Sequence, residues 1–276
     1  MATAASGRSG FPRIGVCLSS GYFGFFAHTG FVLAMEELGL RPAAAAGSSA
    51  GAIVAGMWAS GRSGAEMRDR LSRIRRTDFW DLAGPVAWLR GPPGILRGDA
   101  MQRLLDEHLA CGTFEDCRFP VAVNAFDIAG HRAVTFDSGP LAPAVRASAS
   151  LPGLFRPARV DGRWYLDGGL VEKTPVSWLL ARPDVDLVVV HHLRSSAAPA
   201  LPPNPGVVQI LRSAIRTLRG RLDEATLEAA RRSGHRLLVV EPDPPHVGPF
   251  ALDRGPDALE AARAHAVLTL RDAILR

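Results

Sequence analysis

Two serines stand side by side in residues 43–53, AAAAGSSAGAI, where nearly every neighbour has little or no side chain. Small residues let other groups approach, which suits a nucleophile that must be reached from several sides. Ser49 has glycine at minus two and plus two, Gly47 and Gly51, and so completes a GxSxG pattern, whereas Ser48 has Ala46 and Ala50 at those positions. In such an elbow the chain turns sharply from strand into helix, the serine backbone is strained, and its neighbours must be tiny. Ala50 would then open the helix, with its N–H facing a developing oxyanion and the helix dipole behind it. A tight strand-to-helix packing turn with incidental serines is the plainer alternative.

A serine hydroxyl attacks only when a base takes its proton. None of the eight histidines stands in a distinctive local pattern. His28 precedes the serine on a helical stretch, His108 lies on an amphipathic helix and His131 in a hairpin turn. His191 and His192 end a strand, and His235, His246 and His265 lie far downstream. In the α/β-hydrolase arrangement the nucleophile follows a late strand, with acid and histidine after it. Here one strand-helix unit precedes Ser49, too little chain for that fold, and a Ser-His-Asp esterase using His246 stays open only as an alternative. The better candidate is Asp167 in WYLDGGLV, followed by Gly168 and Gly169, which let backbone come close to whatever the carboxylate faces. An ordinary Asp-Gly hairpin turn is the competing explanation. An aspartate near its usual pKa of about 3.9 is a weak base towards serine. Burial would raise that value and a short hydrogen bond would couple proton transfer to attack, leaving most of the rate to oxyanion stabilisation.

The elements that must hold these groups follow from periodicity. RIGVCLSS reads as a strand, the glycine-bearing turn SSGYFG follows, and Phe25, Phe26, Phe31, Val32, Met35 and Leu38 recur at helical spacing. AAAAGSS and AGAIVAGMWASG repeat the strand-helix order, which argues for a parallel sheet covered by helices. Ser63 and Asp99 are expected helix caps, 119–136 a hairpin turning at 128–131, LAPAVRASAS a helix and ARVDGRWYLDGG a second hairpin. DVDLVVVHHL, a long helical region from NPGVVQIL, HRLLVVEP and a final amphipathic helix complete a three-layer α/β/α sandwich with a mainly parallel central sheet. We expect a flexible start over residues 1–12 and one domain over 13–276, without repeat or composition break. Of 276 residues, 47% are hydrophobic and the net charge is +5, carried almost wholly by arginine. Cys17, Cys111 and Cys117 imply neither a disulfide framework nor a zinc site, no carboxylate loop has calcium spacing, and neither metal nor cofactor is expected. With no basic-then-apolar leader and no long apolar span, the expected location is cytoplasmic, at most peripheral to a membrane.

GSSAG, the later DGG, and AVRASASLPGLFRPARVDGRWYLDGGLVEKTPV occur in an order and spacing that resemble the patatin-like phospholipase family, over about residues 13 to 193. The resemblance implies a patatin-like fold and a dyad of Ser49 and Asp167. It also implies hydrolysis of phospholipid, lysophospholipid or neutral-lipid esters through an acyl-serine intermediate. In the family a loop after the first strand, three glycines followed by a basic residue and another glycine, supplies N–H donors. Here Gly21 and Gly24 match the third and last glycines, Ser19 and Ser20 replace the first two, Phe23 replaces the basic residue, and one extra residue precedes His28. Ser20, Gly21, Tyr22 and Gly24 are thus the oxyanion-hole candidates beside Ala50. The altered loop leaves room for a non-catalytic lipid-binding member, and the acceptor need not be water. Near Lys173 or Thr174 the family usually has asparagine; Lys173, the only lysine, is expected to point to solvent.

A lipid or ester substrate needs an apolar wall, offered by Phe25, Phe26, Phe79, Trp80, Trp88 and Leu89 unless these are simply core. Residues 77–97 read as a packed loop or a lid in contact with a membrane. The arginines of MRDRLSRIRR and LRSAIRTLRGR suit anionic head groups, a solvated helix face being the commoner explanation. No reader motif or stacking aromatic accompanies them, so no nucleic-acid partner is expected. The oligomeric state is not specified by the sequence.

Overall fold

The computed structural model describes residues 12–84, 94–194, 202 and 204–275. Strand β1, Ile14–Leu18, is buried at every residue, as befits a central strand covered on both faces. β2, Pro42–Gly47, and β7, Leu187–His191, flank it in parallel, β8, Arg236–Val240, continues beyond β7, and β3, Val121–Asp127, runs parallel to β2. β4, Arg132–Phe136, β5, Ala158–Val160, and β6, Arg163–Asp167, add antiparallel pairings. Among the described residues the sheet has eight strands in the order β5-β6-β3-β2-β1-β7-β8, with β4 also on β3.

Alternation along the strands sorts side chains between two apolar layers. Ile14, Val16 and Leu18 pack with Val189 under α1, Phe25–Glu37, α2, Ala50–Ser60, α4, Asp99–His108, α5, Leu141–Ser148, and α8, Gly255–Ile274. Cys17, Val188 and Val190 face the other way, towards Leu179 of α6, Ser177–Leu180, and Leu227 and Ala230 of α7, Val207–Arg232. The result is the expected α/β/α sandwich. Helix α3, Gly64–Leu71, begins at Ser63 in a capping box with Glu66, as its sequence suggests. Asp99 is not a cap. Gly98 takes that position in the left-handed region, and Asp99 is the first helical residue. The four-residue α6 has no periodic signal and was not foreseen.

The register places the site. β2 ends at Gly47, paired with Val123 of β3, and β6 ends at Asp167, paired with Ala125 two residues further along the same strand. Where β2 gives out and turns into α2, the antiparallel β6 delivers Asp167.

Candidate active site

Ser49 adopts φ 54° and ψ −118° between β2 and α2, a conformation a side chain rarely takes and one that thrusts the hydroxyl clear of the turn. The flanking glycines are sterically required. A Cβ on Gly47 would lie 2.4 Å from the Gly51 carbonyl oxygen, and one on Gly51 would lie 2.1 Å from that of Leu18. Ser49 N–H donates to Ser148 Oγ at 2.9 Å, pinning the elbow to the end of α5. Ser48 is fully buried and its hydroxyl has no partner among the described residues, so it does not compete with Ser49.

Ser49 Oγ–H donates to Asp167 Oδ2 at 2.6 Å, while Asp167 Oδ1 accepts from Gly169 N–H at 2.8 Å. The aspartate is buried, and that burial raises its pKa against the opposing effects of the Ser49 hydrogen bond, the Arg219 charge and the Gly169 N–H. The two glycines after it are again steric. A Cβ on Gly168 would meet the Asn124 carbonyl oxygen at 2.3 Å, and one on Gly169 would meet Ser20 Oγ at 2.4 Å. No histidine is among the described partners of Ser49; His246, the candidate third member of a triad, is exposed.

The loop after β1 corrects part of the expected oxyanion set. Ser20 N–H is already given to the Lys173 carbonyl at 2.7 Å, and Gly24 N–H to the Gly21 carbonyl at 3.0 Å, so neither is available to a ligand. Gly21 and Ala50 N–H have no acceptor among the described residues. Phe23, in place of a basic residue, sits at φ 52° with its ring against Phe25 and Phe79. The serines that replace two glycines have work of their own: Ser19 Oγ accepts from Leu193 N–H at 2.8 Å, and Ser20 Oγ lies 3.4 Å from Arg219 Nη2.

Arg219, on α7, is the site residue that sequence reasoning missed. It lies 170 positions from Ser49 in the chain, inside an arginine run whose members look alike, and no local pattern singles it out. It has no carboxylate partner among the described residues, and its buried Nε lacks an acceptor. Lys173 overturns its expectation: it does not point to solvent. It is buried, with its Nζ 3.2 Å from Asp223 Oδ2 and 3.0 Å from His192 Nε2. Burial lowers its pKa against the pull of Asp223. Asp223 also accepts from Thr174 at 2.6 Å and contacts His192 at 2.7 Å. Burial works to raise the Asp223 pKa, but His192, Lys173 and Thr174 together outweigh it and hold the group at about 2. Lys173 stands where the family usually has asparagine, and its charge is spent on Asp223 of α7, not on Asp167.

Of the expected apolar wall, Phe26 is buried core with Leu71, Val247 and Leu259. Phe79 is buried, and Trp80 lies edge-on to Phe250. Trp88 and Leu89, like residues 1–11, lie outside the described residues. Among the described residues no group of side chains could hold a metal, and no helix is long and apolar enough to cross a membrane.

A family model described as patatin-like phospholipase matches residues 16–180. An uncharacterized NTE family protein of Mycobacterium tuberculosis is 32% identical over 197 residues, 71% of this chain and 53% of that protein. Lysophospholipase NTE1 of Mycosarcoma maydis is 30% identical over 177 residues, 61% of this chain and 9% of that protein. The chain thus spans about half the length of the mycobacterial relatives it matches or less. Among solved structures, VipD of Legionella pneumophila superposes with a TM-score of 0.51 at 15% identity, over 95% of this chain and 67% of that one, a likeness of fold. A three-layer sandwich with this elbow, and a family match over residues 16–180, establish that the chain belongs to the patatin-like phospholipase family.

Proposed function

We propose that the chain is a lipid acyl ester hydrolase that works through Ser49 and Asp167. The observation that carries the reading is the 2.6 Å hydrogen bond from a serine at positive φ in a GxSxG elbow to a buried carboxylate. Asp167 Oδ2 takes the hydroxyl proton as Ser49 Oγ bonds to the ester carbonyl carbon, and the carbonyl π electrons move onto oxygen. Ala50 and Gly21 N–H stabilise that oxyanion, the helix dipole of α2 adding to the first. As the tetrahedral centre collapses, Asp167 returns the proton to the departing alcohol oxygen. A water, deprotonated by Asp167, then attacks the acyl-serine and releases the carboxylic acid and the free hydroxyl. Arg219, with Nη2 3.4 Å from Ser20 Oγ, brings from α7 a positive charge to the loop where Phe23 carries none, which supports catalysis over a non-catalytic lipid binder.

The NTE1 relative named a lysophospholipase supports lysophospholipid as the substrate class to try first. Release of p-nitrophenol from butyrate and longer esters tests the reaction, with fluorophosphonate labelling to mark the nucleophile. Ser49→Ala and Asp167→Asn are each expected to lower kcat by about 10³-fold or more in folded protein, Ser49→Ala also abolishing labelling. Turnover that survived Asp167→Asn would refute the dyad, and absence of both turnover and labelling in the native chain would favour the lipid binder.

A further inference from the structure

Helix α7 is built unevenly. Among its described residues none before Asp223 is buried, and the buried ones that follow, Leu227 and Ala230, pack beside Val188 and Val190 of the sheet. On the earlier turns Val207, Leu211, Ile215, Leu218 and Leu222 recur at steps of four, four, three and four, the spacing that stacks side chains along one helix face. All five are exposed, Val207 at 72% and Leu218 at 69%. Residues 207–222 contain Arg212, Arg216, Arg219 and Arg221 and no aspartate or glutamate. A solvated helix face would be polar; this one is apolar and flanked by a single sign of charge. Helices of about 15 residues are marginal in water without a packing partner, so this stripe calls for a cover.

We propose that this face of α7 lies on an anionic lipid surface, its leucine and isoleucine side chains at the acyl boundary and its arginines among phosphate head groups. Charge selects the occupant. A second copy of the chain would bring the same positive stretch against itself, whereas an anionic bilayer brings the opposite sign. Position supports it: Arg219, adjacent to Leu218, reaches Ser20 in the loop beside the Ser49 elbow, so a surface held by the stripe is presented to the site. On the same loop Tyr22 is exposed, and Phe250, close in sequence to the Gly248 that Tyr22 approaches, is exposed as well. The inference rests on the lipid-hydrolase reading and deepens it by assigning the surface from which substrate is drawn.

The test uses the full chain with vesicles of equal parts phosphatidylglycerol and phosphatidylcholine, against vesicles of phosphatidylcholine alone, binding being read by co-sedimentation. The native chain is expected on the anionic vesicles. The double variant Leu211→Gln, Leu218→Gln is expected to bind at least about tenfold more weakly, yet to hydrolyse p-nitrophenyl butyrate in vesicle-free buffer at the native rate. Salt of about 1 M, where the Debye length is about 3 Å, is expected to weaken native binding. Equal binding by native and variant chains overturns the proposal, as does equal binding to the two vesicle types, or a dimer that the double variant abolishes. Vesicle binding without any ester turnover overturns the hydrolase reading while leaving the surface standing.

Discussion

Ser49 is held in a conformation that costs stability, and the cost can be isolated. A non-glycine residue at positive φ is disfavoured by about 1–2 kcal/mol, a penalty that glycine escapes. Comparing Ser49→Ala with the native chain confuses this strain with loss of the bond to Asp167, because both change together. Ser49→Gly and Ser49→Ala both lose the hydroxyl and differ chiefly in backbone freedom. We expect both to be inactive, and Ser49→Gly to be the more stable of the two by about 1 kcal/mol in urea unfolding. Equal stability, or the reverse order, would mean that the elbow stores no strain at this residue. Asp167 belongs to the same account. Its burial raises its pKa, so the proposed dyad predicts an acid limb of kcat/KM above the ordinary carboxylate range near 3.9 and absent from Asp167→Asn.

Helix α7 is the element that distinguishes this site from its sequence pattern. Asp223 is gripped by Lys173, Thr174 and His192, one helical turn after Arg219, so the loop following Asp167 fixes the helix that brings the guanidinium to Ser20. Under the proposed mechanism, in which its charge serves the developing oxyanion, Arg219→Gln is expected to lower kcat on p-nitrophenyl butyrate by about tenfold or more with a smaller change in KM. Arg219→Lys should recover part of the loss, and thermal unfolding of both should match the native chain because no ion pair is broken. Unchanged kcat in Arg219→Gln would remove the residue from the site. The elbow itself was readable because its constraints are local: the strained serine and the glycines at two residues' remove answer to contacts within one turn. DGG was readable for the same reason, although the atoms it avoids, on Asn124 and Ser20, are far away in sequence. Arg219, Ser148 and Asp223 were not readable, because each is chosen by a partner on another element, and nothing in its own neighbourhood differs from an ordinary helix. Lys173 was misjudged on the same count: a lone lysine defaults to solvent until a distant Asp223 is known to meet it.

In the whole molecule, two buried histidines tie stability to acid. His28 Nε2–H donates to the Ser19 carbonyl at 2.8 Å, which leaves its Nδ1 to accept from His191 Nδ1–H at 2.7 Å. His191 Nε2 is then bare, buried without a partner among the described residues, and its ring stacks on Phe31 at 4.6 Å. Both rings must be neutral. Burial, outweighing the Ser19 carbonyl, drives His28 down to about 3 and holds His191 well below its ordinary value. In the unfolded chain each titrates near 6.5, so below that pH the unfolded state takes up protons that the native state refuses. The stability these residues contribute is therefore complete above about 6.5 and is lost as pH falls, by up to about 1.4 kcal/mol per pH unit for each ring. Asp167 opposes them. Its raised pKa makes the native state bind that proton first, which adds stability as pH falls towards 3.9, but one proton does not offset two. We expect the urea unfolding free energy to fall from pH 7 to pH 5.5. His191→Leu, less stable at pH 7, is expected to show a distinctly flatter dependence, and a slope identical to the native one would exclude the pair as its source. The same substitution separates two causes of acid inactivation. Protonating His28 would face N–H against N–H and loosen its hold on Ser19 at the start of the loop after β1, whereas protonating Asp167 would remove the proposed base directly. In His191→Leu no N–H faces His28 Nδ1, and the carboxylate limb should persist in the pH profile of ester turnover.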